Sequence, residues 1–182
     1  MKRTVLIFGL ISGVISSLLM IATVPFLHKL GNDKGFIVGY AAIVASFLLV
    51  FFGIRSYRDN VGGGQITFGR AFSIGILITL ISCVFYVVTW EIVYFNFLPG
   101  FMDSYWAHAI EKVKASGKSA ADIQAQIDAL KKSQASYQNP LVNSAMTFIE
   151  PFPVGLVITL ISAAVLRKKA GAQAAAAVEA TS

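Results

Sequence analysis

Apolar residues run almost unbroken through positions 5–27, 35–54 and 71–98, and less cleanly through 141–166. Each run can cross a hydrocarbon layer, which needs about 20 apolar helical residues. The pattern predicts an all-α fold, a four-helix transmembrane bundle, and an integral membrane protein.

The polar stretches between the runs predict how the helices connect. Residues 28–34, rich in Gly, Asn, Asp and Lys, form a short turn that can only join antiparallel neighbours, so the first two spans make a hairpin. The next link, 55–70, contains Gly62, Gly63 and Gly64, then Thr67, placed to cap the third helix. No Gly-Lys-Ser/Thr follows the glycines, so a flexible turn explains them better than a phosphate loop.

Pro99 and Gly100 end the third span, and the following residues of ordinary polarity read as two helices. The first, near 102–116, carries Tyr105, Trp106, Ile110 and Val113 on one side. The second is capped by Ser119 with Asp122 three residues on, presents Ile123, Ile127 and Leu130 at helical spacing, and stops at Asn139-Pro140. Together they predict an outer (periplasmic) helical hairpin, about 102–138, between helices 3 and 4. It has too few apolar residues for a core of its own and serves as a cover over the bundle.

Glu150-Pro151-Phe152-Pro153 interrupts the last run. The stretch 153–166 gives only about 21 Å of helix against roughly 30 Å of hydrocarbon, so 141–149 must help to span. Both prolines remove a backbone donor and clash with the preceding turn, which predicts a fourth helix kinked or broken at Pro151 and Pro153. Residues 1–169 then form a single membrane domain, and the alanine-rich tail 170–182 is expected to be disordered.

Composition narrows the partners. With 56% apolar and 13% charged residues in 182, little is left for a soluble domain. Cys83 is the only cysteine and lies within the third run, which excludes an internal disulfide and a cysteine metal cluster. A net charge of +6 in a soluble protein would suggest nucleic acid, but here the cations flank apolar segments, which sets topology and makes the lipid bilayer the partner. Placing both termini in the cytoplasm of a bacterial inner membrane puts Arg3, Arg55, Arg58, Arg70 and Arg167 inside, while Asp33, Asp103, Glu111, Asp122 and Asp128 offset most of the outer lysines. The apolar run at the N-terminus exceeds the roughly 7–15 residues of a signal peptide core, and its nearest cleavage-like site is poor, so it is expected to remain as the first span.

Small residues recur at every fourth position: Gly9, Gly13 and Ser17; Ala71, Gly75, Thr79 and Cys83; Gly155, Thr159 and Ala163. Such stripes let helices approach closely, and packing within the bundle is the expected use. The third and fourth spans also echo each other. Phe68, Phe72, Gly75, Thr79 and Ser82 recur 80 positions on as Phe148, Phe152, Gly155, Thr159 and Ser162. Oppositely directed echoes are the mark of an inverted repeat. Because the first two spans have no matching echo, chance repetition of short apolar words is the favoured explanation.

Glu91 and Glu150 are the acids embedded in apolar helices and form a candidate intramembrane acid pair. Counting the helical rise from Arg70 and from Arg167 places both toward the outer boundary, where the cost of an acid is small. Facing each other, they would share a proton and suit proton or cation coupling; separately, they would be solvated or paired with lysines at the headgroup level. His108 and Glu111 do not amount to a metal site, and Tyr86, Trp90, Tyr94, Tyr105 and Trp106 read as an aromatic belt. No constellation supports a hydrolase, and neither a catalytic residue, a metal nor a cofactor is assigned.

The motifs Tyr57-Arg58, Gly63-Gly64-Gln65-Ile66-Thr67-Phe68-Gly69-Arg70-Ala71-Phe72, Tyr86-Val87-Val88-Thr89-Trp90-Glu91 and Phe148-Ile149-Glu150-Pro151-Phe152-Pro153-Val154-Gly155 resemble the bacterial membrane-protein family catalogued as domain of unknown function 4199. The resemblance covers nearly the whole chain up to Lys169 and implies a small bacterial multipass protein without an established activity. The expected role is a non-enzymatic accessory or structural membrane protein, in contact with a second copy or another membrane protein. The alternative is a small proton- or cation-coupled transporter acting as a dimer, and third a membrane enzyme using Glu91 and Glu150 as its acid-base pair.

Overall fold

The computed structural model describes residues 1–98 and 100–168; within these, the side chains of residues 25–36, 101 and 102 are not described. The expected disordered tail, 170–182, lies outside the described residues. The fold is all-helical. Helix α1 covers Lys2–Asn60, α2 Phe68–Phe97, α3 Phe101–Lys114, α4 Ala120–Tyr137, α5 Pro140–Ile149 and α6 Pro151–Leu166. Four segments are long and apolar enough to cross a membrane: Lys2–Val24, Ile37–Asn60, Phe68–Phe97 and Pro140–Leu166. The chain divides into two compact units, Met1–Tyr86 with Phe148–Ser182, and Val87–Thr147.

In the first unit, helical backbone continues through the whole of α1, so the open turn expected at 28–34 is absent. A straight helix would hold Ser12 and Ser46 about 51 Å apart. Instead, Ser12 Oγ donates to the Ser46 carbonyl at 2.9 Å, so the two limbs of α1 lie side by side as the expected hairpin.

The shared core is built from one face of each limb and of α2. Val50, Ile54, Ile74 and Ile78 are fully enclosed, and Val5, Ile43 and Phe47 pack with them. Their opposite faces remain apolar: Leu6, Leu10, Leu18, Leu48 and Val84 are exposed. Helices that are apolar all round are stable in this arrangement when lipid covers the outer side.

The expected small-residue stripes are the close-packing points. Gly9 and Gly13 of α1 lie under Ile81 and Phe85 of α2; a methyl group on Gly13 would come within 2.6 Å of the Phe85 ring. Between α2 and α6 the contact is reciprocal. A methyl on Gly75 would meet Thr159 Cγ2 at 2.7 Å, and one on Gly155 would overlap Thr79 Cγ2. At the centre, the hydroxyls of Thr79 and Thr159 share a hydrogen bond of 3.1 Å.

The two echoing segments are thus each other's packing partners. The ring pairs at their starts match as well, Phe68 on Phe72 and Phe148 on Phe152, each stacked. The offset of 80 residues is the register of a two-fold crossing between oppositely directed helices. This gives the echo a physical reason that chance repetition of apolar words does not supply.

Several local signals take the expected form. Thr67 Oγ1 accepts the Arg70 N–H and starts α2 at Phe68, three residues ahead of the expected start. The glycine link leaves α1 through Gly62 and Gly64, whose N–H groups return to the carbonyls of Tyr57 and Arg58, and Gly63 and Gly64 adopt left-handed φ of 60° and 79°. An isolated antiparallel bridge then pairs Ile66 with Lys168. The last span breaks where the prolines require it: α5 ends at Ile149 and α6 begins at Pro151.

The second unit contains the end of α2, α3, α4 and most of α5. Ser119 Oγ accepts the Asp122 N–H, as the capping pattern predicts, and Pro140 occupies the first position of α5. The short link 115–119 returns α4 against α3, with Gln134 Nε2 donating to Asp103 Oδ1 at 3.3 Å and Ile127 buried.

Candidate functional site

The polar side chains of the apolar segments are the natural place to look for chemistry, because each must be satisfied within the protein. In the first unit most of them are hydroxyls spent on helix backbone. Ser16, Ser46 and Ser82 donate to the carbonyls of Gly13, Ala42 and Ile78. These serines, with Ile43, Phe47, Tyr86 and Pro151, line a small recess of about 10 Å³, with room for no more than a single water. Since their hydroxyls turn back into their own helices, the recess presents carbon rather than polar groups.

Glu150 stands at the edge of this region, at the break between α5 and α6, half-buried. Its Oε2 accepts from the Tyr86 hydroxyl at 3.1 Å. Pro151 is fully enclosed beside it, while Pro153 is exposed, so the first proline anchors the break and the second only shapes it. A carboxyl hydrogen-bonded to a phenol can keep or release its proton without losing its partner, because the phenol is both donor and acceptor.

In the second unit, Glu91 is half-buried on α2 and accepts from Ser144 Oγ of α5 at 2.9 Å. Each of the two candidate acids therefore has a hydroxyl donor from its own unit. Around Glu91 the aromatic residues do not form a loose belt. Tyr94, Trp106 and Tyr137 are buried together, with Trp90 packed against them. Tyr94 and Trp106 both meet the Tyr137 ring edge-on. Trp90 Nε1 donates to the Tyr137 hydroxyl at 3.0 Å, and Gln138 Nε2 to the Tyr94 hydroxyl at 3.2 Å. Tyr105 remains on the exposed side.

A polar residue not anticipated from the sequence holds this cluster at its base. Asn143 is completely buried on α5, donates Nδ2 to the Tyr137 carbonyl and accepts from Thr147 Oγ1 on Oδ1. The missed signal was an Asn and a Thr four apart in the least clean apolar run, where a polar pair on one helix face implies a polar partner. His108 and Glu111 are both exposed, and the described residues contain no group of three or more side chains able to hold a metal.

Comparison with known proteins adds the family. No curated protein and no solved structure matches the chain. The family model described as "Protein of unknown function (DUF4199)" matches residues 7–168, which include the α2–α6 crossing, the aromatic cluster and both acids, and the chain belongs to that family.

Proposed function

We propose that the chain is a non-enzymatic, multipass protein of the bacterial inner membrane that acts as an accessory or structural partner, with both termini cytoplasmic and the α3–α4 hairpin on the periplasmic side. The observation that carries this reading is where the hydroxyls go. Ser12, Ser16, Ser46, Thr79, Ser82 and Thr159 bond helix backbone or each other, as polar residues do when they hold helices together in lipid. The exposed polar face of α4 and the α3–α4 end are then free for a partner, which can be a second copy. Crosslinking in native membranes tests the reading. A discrete adduct formed through hairpin residues is expected, and recovery of the monomer alone would overturn it.

A second reading, a proton- or cation-coupled transporter working as a dimer, draws on specific observations: Glu150 bonded to a phenol at a proline break, Glu91 bonded to a serine, and an inverted crossing of α2 and α6. Glu91→Gln and Glu150→Gln separate the two. Glutamine keeps an acceptor for Ser144 or Tyr86, so the change in stability should stay within the roughly 0.5–1.5 kcal/mol of a single hydrogen bond. On the accessory reading, pH-gradient-driven flux in proteoliposomes is the same with and without either variant. A gradient-driven flux present in the wild type and lost in a variant would favour transport.

A further inference from the structure

Positive charge is gathered at one end of the first unit. Arg70 of α2 reaches the N-terminal residue, its Nη1 lying 3.5 Å from Met1 Sδ, and the Ile66–Lys168 bridge draws the end of α6 to the link before α2. Lys2, Arg3, Arg70, Arg167 and Lys168 are all exposed there. The end of α1 adds Arg55 and Arg58, but these two are engaged by Asp59, at 3.6 and 2.7 Å, and Asp59 is the only acid in the described stretches 1–24, 37–70 and 160–168. Helices α1 and α2 both begin at this end with no acidic residue in the first turn, so their backbone N–H groups add to the positive potential instead of being offset.

The cations also sit directly beside exposed apolar surface. Leu6 and Ile7 follow Arg3 by one turn, with 53% and 43% of their surface exposed, and Ile161 and Val165 precede Arg167 with 58% and 68% exposed. A free anion would use only the cations. A phospholipid uses both, its phosphate at the arginines and its acyl chains along the apolar sides, at the depth where an apolar helix end meets the headgroups.

We propose that this end, centred on Arg3, Arg70 and Arg167, is a binding surface for the anionic headgroup of a membrane phospholipid. The inference goes beyond the functional reading above and needs only that the chain sits in a bilayer, so it stands or falls separately from the accessory and transport readings.

The full chain in neutral detergent is titrated with dioleoyl phosphatidylglycerol, dioleoyl phosphatidylcholine or inorganic phosphate, and the thermal unfolding midpoint is followed. Phosphatidylglycerol should raise the midpoint at concentrations roughly tenfold lower than phosphatidylcholine, and inorganic phosphate should not reproduce the shift. Arg3→Gln/Arg70→Gln/Arg167→Gln should abolish the preference, and the corresponding triple change to Lys should retain it. Lys112→Gln/Lys114→Gln/Lys131→Gln on the hairpin removes equal charge elsewhere and should also retain it. Equal response to the two lipids, a full shift with phosphate alone, or equal loss in the hairpin variant would overturn the proposal. Because the Lys triple and the hairpin variant are read independently, a poorly folding Gln triple does not shield it.

Discussion

Gly155→Ala is expected to destabilise the first unit by about 1–3 kcal/mol, the usual cost of forcing an extra carbon into a filled core. The added methyl would overlap Thr79 Cγ2 and lie 2.9 Å from Phe47 Cζ. The ring can shift, but Thr79 cannot easily turn. It is fully buried, and rotating its methyl away would break the 3.1 Å hydrogen bond to Thr159. Thr79→Ser removes the obstructing methyl and keeps the hydroxyl, so the double variant should recover most of the loss, giving a coupling energy well above the error of the cycle. The same cycle with Gly75→Ala and Thr159→Ser should give a similar result, because the crossing is reciprocal. Gly39→Ala, where a methyl meets nothing within 4 Å, should leave stability unchanged or raise it slightly. Cys83 supplies the readout. It is the only cysteine and is fully buried in this unit, so its rate of labelling by a hydrophilic maleimide reports opening there. An unchanged labelling rate and unfolding midpoint in Gly155→Ala would contradict the packing described.

The second large effect is expected from Asn143→Leu, which keeps the branching and the number of heavy atoms, removes both side-chain hydrogen bonds and adds the bulk of two methyl groups at a fully buried site. Thr147 can redirect its hydroxyl to the carbonyl four residues back. The Tyr137 carbonyl loses the donor from Asn143, at a cost of about 1–3 kcal/mol. Tyr137 is buried against Tyr94 and Trp106 and accepts from Trp90, so the disturbance should spread to the aromatic cluster. The chain has two tryptophans, Trp90 and Trp106, both in the second unit, and their emission reads that unit alone. A red shift at denaturant concentrations that leave the wild type unchanged is the expected result. Thr147→Val, which removes only the outer bond of the pair, should give a smaller effect of about 1 kcal/mol. Equal emission and equal midpoints for Asn143→Leu and the wild type would mean that Asn143 does not hold the cluster.

Local features were legible where a residue acts on its own neighbours. Thr67 and Ser119 cap the helices they precede, α4 stops ahead of Asn139-Pro140, and Pro151 divides the last span, each because the chemistry involves only backbone within about one turn. The small-residue stripes were legible too, since a Gly every fourth position on an apolar helix has few other uses. Partners were not. The same stripe in α1 packs under Ile81 and Phe85, which no spacing within α1 could indicate. The aromatic residues read as a belt because Trp and Tyr favour membrane boundaries in general, whereas Tyr137 and Asn143, far along the chain, gather three of them into a buried cluster.

The sequence by itself determined the class: helices long and apolar enough to cross a membrane, the break at the prolines of the last span, and which faces carry small residues. Composition and helical period are properties of consecutive residues, and an apolar medium leaves the backbone little choice but to hydrogen-bond within its own helix. The tertiary structure decided what meets what. It made the echo between α2 and α6 a reciprocal Gly–Thr crossing, kept helical backbone through the reversal of α1, and gave Glu91 and Glu150 separate hydroxyl partners. Those outcomes depend on close approach between residues tens of positions apart, and that is set by the fit of whole surfaces rather than by any local pattern.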